Sequence, residues 1–360
     1  MPFCLLSCPQ RSLFLFQQSK RKNGHSTLPI DLFKEEQPLL KDRIDPFGCV
    51  AEELKLVERT LARSLHSQEE KLTEVASHLI EGGGKRVRPM ITLLSFKLLG
   101  GVKAQDAVDI ATAIELIHTA TLLHDDIIDG AETRRGRDSA YKKFGLKNSL
   151  ITGDFLFIKG FEFAGKFDET VVQWTADACT QLTEGEILQG FFNRNIAVTI
   201  PDYLEIVTRK TASLFQTGAR VGAYLAGASP SLIEVMSQYG LNLGIAFQII
   251  DDVLDVIGHE RLLGKPTGMD LRDGNPSLPI ILALSEGHPA VEEAFVGSRP
   301  SEEKIQAAIQ AIEKGTAIEQ AKALSRKYSD KAFKLLEKLP PSIYRNGLRT
   351  MVQLVVERQT

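Results

Sequence analysis

The sequence has few cysteines. Its four cysteines, Cys4, Cys8, Cys49 and Cys179, do not have the spacing of a disulfide framework or of a metal-ligand cluster. We therefore expect free thiols, and we exclude a small secreted domain that is built on disulfides.

Excess positive charge and long apolar runs are also missing. The formal net charge is −3 and the pI is about 6.2, which argues against nucleic acid as a partner. No apolar run approaches the roughly 18 residues that a membrane span needs. We therefore expect a soluble, cytoplasmic protein with no transmembrane segment.

The sequence contains no obvious strands, because runs of β-branched residues with period-two alternation are absent. A repeat of solenoid length is not visible either. From residue 47 onward, stretches of about 15 to 25 residues carry apolar side chains at helical spacing. Gly and Pro interrupt them near positions that include Gly145, Gly190 and Pro201. This pattern predicts one all-α bundle over residues 47–360.

Residues 1–46 are interpreted as an N-terminal extension, either disordered or targeting. Within residues 1–30 there are four basic residues, several serines and no acid before Asp31. This composition is typical of an organelle transit peptide. A disordered extension and a misassigned start are the alternatives, so organelle targeting is left open beside a cytoplasmic location.

Two apolar stretches each contain three carboxylates: "LLHDDIID" at 122–129 and "FQIIDDVLD" at 247–255. On a helix, residues four apart point the same way, so each stretch forms a carboxylate cluster. Apolar neighbours indicate that both helices are buried, and buried carboxylates require a cation. Carboxylate ligands without paired His or Cys favour Mg²⁺ over Zn²⁺. A solvated helix face paired with lysines is the alternative for either stretch alone. His124 is expected to pack rather than bind.

Three basic stretches complement these acids. "GGGKRVRP" at 82–89 is not a Walker loop, because Lys85 is followed by Arg rather than Ser or Thr. In "ETRRGRDS" at 132–139, Arg134 and Arg135 are placed about one and a half helical turns beyond Asp129. The third comprises Lys210 and Thr211, with Lys265. Arginine forks and lysine charges at these places predict a phosphate-bearing substrate, although each stretch alone is also compatible with a charged surface.

The order of these stretches resembles the trans-isoprenyl diphosphate synthases, or polyprenyl synthetase family. The motifs are "GGGKRVRP", "HTATLLHDDIIDGAETRRG", "KTASLF", "FQIIDDVLD" and "GKPTGMDLRDGNPSLP". The resemblance runs from about residue 50 to near the C-terminus. It implies antiparallel helices around a deep central cavity, and usually a homodimer. One departure is visible, since members usually have Thr where this chain has Ser277.

The resemblance also implies site residues, by motif position. Six aspartates are expected to bind Mg²⁺: Asp125, Asp126, Asp129, Asp251, Asp252 and Asp255. The resemblance implies three Mg²⁺ ions, which bridge the diphosphate. Those expected to hold the allylic diphosphate are Arg134, Lys210, Thr211, Gln248 and Lys265. Those expected to hold the diphosphate of isopentenyl diphosphate are Lys85, Arg88, His118 and Arg135. The catalytic set comprises the same aspartates, without Asp255, together with Lys210.

The implied reaction condenses isopentenyl diphosphate head-to-tail with an allylic diphosphate (dimethylallyl, geranyl, farnesyl or geranylgeranyl). Cations neutralise the departing diphosphate, the alkene attacks the allylic cation, and pyrophosphate takes the proton. No protein nucleophile is required, which agrees with the absence of a G-x-S-x-G or Cys/His signature.

Product length is expected to depend on the helix that precedes Asp125. Ala120 and Thr121 are small, so no bulky floor stands directly before the acids. Each helical turn admits about one more isoprene unit. We therefore expect a product of C20 or longer, with a floor at Leu116 or Ile117 if growth stops at C20. Phe191 and Phe192 on another helix are an alternative floor.

Two other functions remain possible at this point. A class I terpene cyclase would share the fold and one aspartate motif, but normally carries a different second metal site. A non-catalytic regulatory subunit of a prenyl synthase would have damaged metal ligands, whereas both motifs are intact in this chain.

Overall fold

Helices make up nearly all the regular structure of the computed structural model, which describes residues 45–258 and 267–357. In chain order the helices are α1 (Pro46–Cys49), α2 (Ala51–Ser64), α3 (Glu70–Glu81), α4 (Val87–Leu98), α5 (Ala104–Ile128), α6 (Ala140–Ala164), α7 (Glu169–Phe192), α8 (Ile200–Val207), α9 (Ser213–Leu225), α10 (Pro230–Ile257), α11 (Met269–Asp273), α12 (Leu278–Ser285), α13 (Pro289–Val296), α14 (Glu302–Lys314), α15 (Ala317–Leu336) and α16 (Ile343–Glu357). A π-helical turn, Thr208–Ala212, joins α8 to α9. The all-α prediction is confirmed. The predicted extension, including its possible targeting segment, falls almost wholly outside the described residues.

A short hairpin follows α5, with strands β1 (Thr133–Arg134) and β2 (Arg137–Asp138) paired antiparallel. Its two turn residues have positive φ, +54° at Arg135 and +72° at Gly136, as a tight hairpin turn requires. The helical placement of Arg134 and Arg135 was therefore wrong. The helix ends because Gly130 adopts a φ of +61°, which turns the chain away from the helix axis.

The helix breaks predicted near Gly190 and Pro201 are present, because α7 ends at Phe192 and α8 begins at Ile200. α7 continues through Gly190 to Phe192, because Gly190 does not take a positive φ. Pro201 lies in the first turn of α8, where its missing N–H costs no hydrogen bond. Gly145, with a φ of +79°, marks a kink within α6.

The buried apolar side chains form three clusters. The main cluster joins α2 to α5 with α9, α10, α15 and α16. The second lies around α8, the end of α10 and α12 to α14. The third lies between α5, α7 and α9 and includes Ile114, Ile117 and Leu182. Within the described part of the chain, no helix has the length and apolarity that a membrane span requires.

Candidate active site

The first acidic cluster lies at the C-terminal end of α5. Asp126 is fully buried, and its Oδ1 accepts hydrogen bonds from Nε (2.8 Å) and Nη2 of Arg134. Its Oδ2 is buried without a hydrogen-bond partner among the described residues. Burial raises the pKa of Asp126, although Arg134 opposes that shift. The site therefore holds a buried carboxylate oxygen that a further cation or donor can satisfy.

Asp125 lies near Lys210, a half-buried lysine of the π-helical turn. Burial raises the pKa of Asp125 to about 6, and the charge of Lys210 opposes this rise. Lys210 also forms an ion pair with Glu186 of α7. Burial alone would lower the pKa of Lys210, but Asp125 and Glu186 outweigh burial, so the pKa is raised. Lys210 is therefore a stable cation between carboxylates of two helices.

The second acidic cluster lies near the end of α10 and is centred on buried Asp252. Its Oδ2 accepts hydrogen bonds from Tyr203 Oη (2.6 Å) and the backbone N–H of Leu278 (3.4 Å). Its Oδ1 accepts one from Gln248 Nε2 (2.8 Å). Burial raises the pKa of Asp252 to about 7 despite these donors. Both oxygens of Asp252 are thus engaged by protein donors.

Asp255 of the same cluster fixes the chain that follows α10. Its Oδ2 accepts a hydrogen bond from the backbone N–H of Asp270 (3.0 Å). Its backbone carbonyl accepts one from the N–H of Gly268 (2.7 Å). These bonds hold the start of α11 against the end of α10.

The π-helical turn connects the two acidic clusters. It presents Lys210 towards Asp125, while Thr211 Oγ1 donates to Gln248 Oε1 (2.9 Å), which belongs to the Asp252 network. A π-helical turn adds a residue to the helical ladder and often occurs at functional sites. The turn can pack closely against α7 and α10 because both helices have a glycine at the contact. A Cβ on Gly185 of α7 would lie 2.7 Å from Lys210 N, and a Cβ on Gly244 of α10 would lie 2.7 Å from Ala212 Cα.

The first two basic stretches meet at one place. Arg88 Nη1 donates to Nε2 of His118 on α5 (3.1 Å), and burial strongly lowers the pKa of His118, which is therefore neutral. A Cβ on Gly84 would lie 3.3 Å from both terminal nitrogens of Arg135. The basic turn before α4 and the hairpin after α5 therefore converge, as the assignment of Arg88 and Arg135 to one diphosphate implied.

The donor set suits a metal ion that is shared with a substrate. In the described part of the chain, no three His, Cys, Asp or Glu side chains converge closely enough to hold a metal ion by themselves. Mg²⁺ is commonly held by one or two carboxylates together with substrate phosphates and water, so it does not need such a group. The oxygen-only acids and the buried Oδ2 of Asp126 fit this mode of binding.

Comparison with known proteins gives the family. The sequence model of the polyprenyl synthetase family matches residues 69–312. The chain is 36% identical to heptaprenyl diphosphate synthase component 2 of Geobacillus stearothermophilus, over 87% of this chain and 98% of that one. It is 33% identical to geranylfarnesyl diphosphate synthase of Aeropyrum pernix, over 80% and 95%. The chain belongs to the polyprenyl synthetase family.

Solved structures of polyprenyl synthases agree with this assignment. A polyprenyl synthase from Caulobacter crescentus CB15, complexed with calcium and isoprenyl diphosphate, superposes with a TM-score of 0.85. Its sequence is 34% identical, and the match covers 88% of this chain and 97% of that one. The predicted family and fold class are confirmed, and so is the prediction of a prenyltransferase. The names of the two relatives, heptaprenyl and geranylfarnesyl diphosphate synthase, agree with the predicted product of C20 or longer.

Sequence reasoning missed two residues of this polyprenyl synthetase site. Tyr203 lies 49 positions before Asp252, and Glu186 lies 24 positions before Lys210, so only the tertiary fold brings each pair together. One signal was present: Tyr203 precedes Lys210 by seven residues, about two helical turns. Lys265 lies outside the described residues.

The four candidate residues for product length divide between two faces of α5. Leu116 and Ala120 are fully buried in the main cluster, whereas Ile117 belongs to the third cluster. Thr121 is half-buried, one turn before Asp125. The alternative floor is outside the third cluster, since Phe191 is 72% exposed and Phe192 packs against the second cluster.

Proposed function

We propose that this chain condenses isopentenyl diphosphate with an allylic diphosphate at the site between its two acidic clusters. The observation that carries this proposal is the π-helical turn, which brings the charge of Lys210 near Asp125 and joins Thr211 by a hydrogen bond to the Asp252 network. A diphosphate between the clusters would meet carboxylates on two sides and a cation from the turn. The substrates named by the relatives are consistent with this arrangement.

We propose that Mg²⁺ is held by the aspartates of the two acidic clusters, with the buried Oδ2 of Asp126 among the ligand oxygens: Asp125, Asp126, Asp129, Asp251, Asp252 and Asp255. Arg134 donates to Oδ1 of Asp126, and Tyr203 and Gln248 donate to Asp252, so both carboxylates are held in a fixed orientation. Asp255 is oriented in the same way, by the hydrogen bond that its Oδ2 accepts from the backbone N–H of Asp270. Mg²⁺, as three ions bridging the diphosphate, would stabilise the charge that develops on the leaving group.

The remaining predicted residues divide between two diphosphates. Lys210, Thr211 and Gln248 adjoin both acidic clusters and would hold the allylic diphosphate, with Arg134 and, outside the described residues, Lys265. Lys85, Arg88 and Arg135 would hold the diphosphate of isopentenyl diphosphate. Neutral His118 would donate a hydrogen bond there without taking the substrate proton, which leaves with pyrophosphate.

For the growing hydrocarbon we propose the space along α5 below Asp125, next to the third cluster. Thr121 lies about 40° from Asp125 around the helix, whereas Ala120 lies about 140° away. The membership of Leu116 and Ala120 in the main cluster also favours Thr121 and Ile117 as the residues that limit growth. The predicted central cavity and a floor at Ile117 belong to this proposal.

We also propose a cytoplasmic homodimer. The outer face of α6 exposes Leu150, Ile151 and Ile158, each by 45% or more. Such a row of exposed apolar residues on one helix is typical of an interface. The Geobacillus relative is named component 2 of a heptaprenyl diphosphate synthase, so the oligomeric state has to be measured with this chain alone.

A set of primers tests the proposed function against a cyclase and a regulatory subunit. The protein is incubated with Mg²⁺, radiolabelled isopentenyl diphosphate and dimethylallyl, geranyl, farnesyl or geranylgeranyl diphosphate. Incorporation of label into a prenyl product of C20 or longer supports the synthase. Release of pyrophosphate without incorporation supports a cyclase, and absence of turnover with every primer supports the regulatory subunit.

A further inference from the structure

Arg86, in the basic turn before α4, has an uncommon backbone conformation. Its φ is +47° and its ψ is +35°, in the left-handed region. Side chains other than Gly rarely adopt this conformation, so surrounding contacts have to maintain it. The position is notable because Arg86 lies between Lys85 and Arg88, both assigned to isopentenyl diphosphate.

The contacts that maintain Arg86 are carboxylates from two other helices. Nη2 donates to Oε2 of Glu58 on α2 (3.2 Å), and Nε donates to the other oxygen of the same carboxylate. Nη1 donates to Oε1 of Glu115 on α5 (2.9 Å). The side chains of Arg86 and Glu115 are only 9% and 4% exposed. The guanidinium is therefore directed at protein carboxylates.

The same face of α5 receives the neighbouring arginine. Glu115 and His118 are three residues apart, and they bind Arg86 and Arg88 respectively. Burial lowers the pKa of Arg88 to about 10, and among the charges that oppose this shift Glu115 is the strongest. Gly84 completes the arrangement, because a Cβ there would lie 2.8 Å from Arg86 Nη1 and 3.3 Å from Arg135.

We propose that Arg86 and Glu115 are positioning residues of the isopentenyl diphosphate site. Their ion pair fixes the left-handed turn, so that Arg88 is held against His118 of α5 and the backbone at Lys85 is fixed before the substrate arrives. Glu115 also supplies a negative charge among Arg86, Arg88 and Arg135. This inference rests on the proposed function, since it concerns one of its two substrates.

Two variants test the proposal. Arg86→Gly removes the ion pairs but tolerates the positive φ, and Glu115→Gln keeps the size of the side chain but removes its charge. For both we expect the KM for isopentenyl diphosphate to rise about tenfold, since a misplaced binding group weakens substrate binding. The KM for the allylic substrate should stay within about twofold. Arg86→Lys, which keeps one charge, should recover part of the loss.

The ion pair between Lys97 and Glu53 (2.6 Å) provides the control. It also joins α4 to α2 but does not touch the basic turn, so Glu53→Gln should lower the Tm without changing either KM. An unchanged KM for isopentenyl diphosphate in folded Arg86→Gly and Glu115→Gln would overturn the proposal. An equal rise of both KM values, or the same rise in Glu53→Gln, would also overturn it. If the unaltered protein incorporates no isopentenyl diphosphate, the proposed function itself fails, and this inference fails with it.

Discussion

At the scale of single residues, Asp252 depends on a donor that lies far away in the sequence. The Tyr203 hydroxyl is one of three donors that this buried carboxylate has, and its hydrogen bond of 2.6 Å is the shortest of them. We expect Tyr203→Phe to lower the free energy of unfolding by about 1.5–3 kcal/mol, as for a lost hydrogen bond to a charged group. The kcat should fall about tenfold or more, because the second cluster loses its orientation. Chemical denaturation and steady-state kinetics measure the two effects.

Tyr239 provides a matched control for Tyr203. It is also fully buried, and its hydroxyl donates to the backbone carbonyl of Leu348 (2.9 Å), within the main cluster. Tyr239→Phe should lower stability by about 0.5–1.5 kcal/mol and leave kcat unchanged. Equal kinetic effects of the two substitutions would contradict the role given to Tyr203.

Single residues also show what sequence patterns can and cannot predict. The aspartates, Lys210 and Arg88 stand in recognisable motifs, so the sequence alone could single them out as candidate site residues. Tyr203 and Glu186 could not, because each acts through a partner on another helix. Residue type alone does not distinguish a buried tyrosine that packs from one that donates to a buried carboxylate.

At the scale of elements, the π-helical turn depends on glycines in two neighbouring helices. A Cβ on Gly185 would lie 2.7 Å from Lys210 N and 3.0 Å from Arg209 Cβ. Gly185→Ala should therefore displace the turn, with a loss of about 1–3 kcal/mol in stability from overpacking. We expect a fall in kcat of at least about tenfold, because Lys210 moves away from Asp125. Steady-state kinetics and thermal unfolding provide the measurements.

Gly190 offers the control within the same helix, since no heavy atom lies within 4 Å of the place its Cβ would occupy. Gly190→Ala should leave kcat unchanged and raise stability by about 0.5–1 kcal/mol, as expected when a helical glycine is replaced. If Gly185→Ala has full activity, the turn does not need this close approach.

Some of the secondary-structure elements could be predicted from the sequence, and others could not. Helical spacing and apolar flanks predicted α5 and α10, which carry the acidic clusters. The π-helical turn could not be predicted, because it arises from the fit between α7, α10 and the start of α9. The hairpin at Arg134 was missed, because Gly130 and Gly136 can each either continue a helix or adopt a positive φ, and only the fold decides.

At the scale of the whole molecule, product length tests where the hydrocarbon lies. Thr121→Phe places a ring one turn below Asp125, beside the third cluster. We expect its longest product to be shorter by at least one isoprene unit than that of the unaltered protein, since each turn corresponds to about one unit. Reversed-phase chromatography of the dephosphorylated products measures the difference.

Ala120→Phe serves as the comparison for Thr121→Phe. Ala120 is fully buried in the main cluster, so a ring there should cost about 1–3 kcal/mol of stability and change product length less. A shorter product from Ala120→Phe, with none from Thr121→Phe, would place the hydrocarbon on the other face of α5.

A substitution on the outer face of α6 tests the proposed homodimer. Ile158 is 60% exposed, and a charge there should prevent burial against a second copy. We expect the unaltered protein to be a dimer by light scattering after gel filtration, and Ile158→Asp to be a monomer. Val102→Asp should remain a dimer, since Val102 is 89% exposed but lies in the segment before α5 rather than on α6. A dimer that survives Ile158→Asp would place the interface elsewhere.

The central claim is that the acidic cluster of α5 activates the allylic substrate. Mg²⁺-dependent incorporation of labelled isopentenyl diphosphate onto farnesyl diphosphate tests it in the unaltered protein, Asp125→Asn and Asp106→Asn. Asp106 lies in the first turn of α5, at the opposite end of the helix. We predict incorporation by the unaltered protein and by Asp106→Asn, and a loss of at least about a hundredfold in Asp125→Asn. Incorporation by Asp125→Asn at the rate of the unaltered protein would contradict the claim.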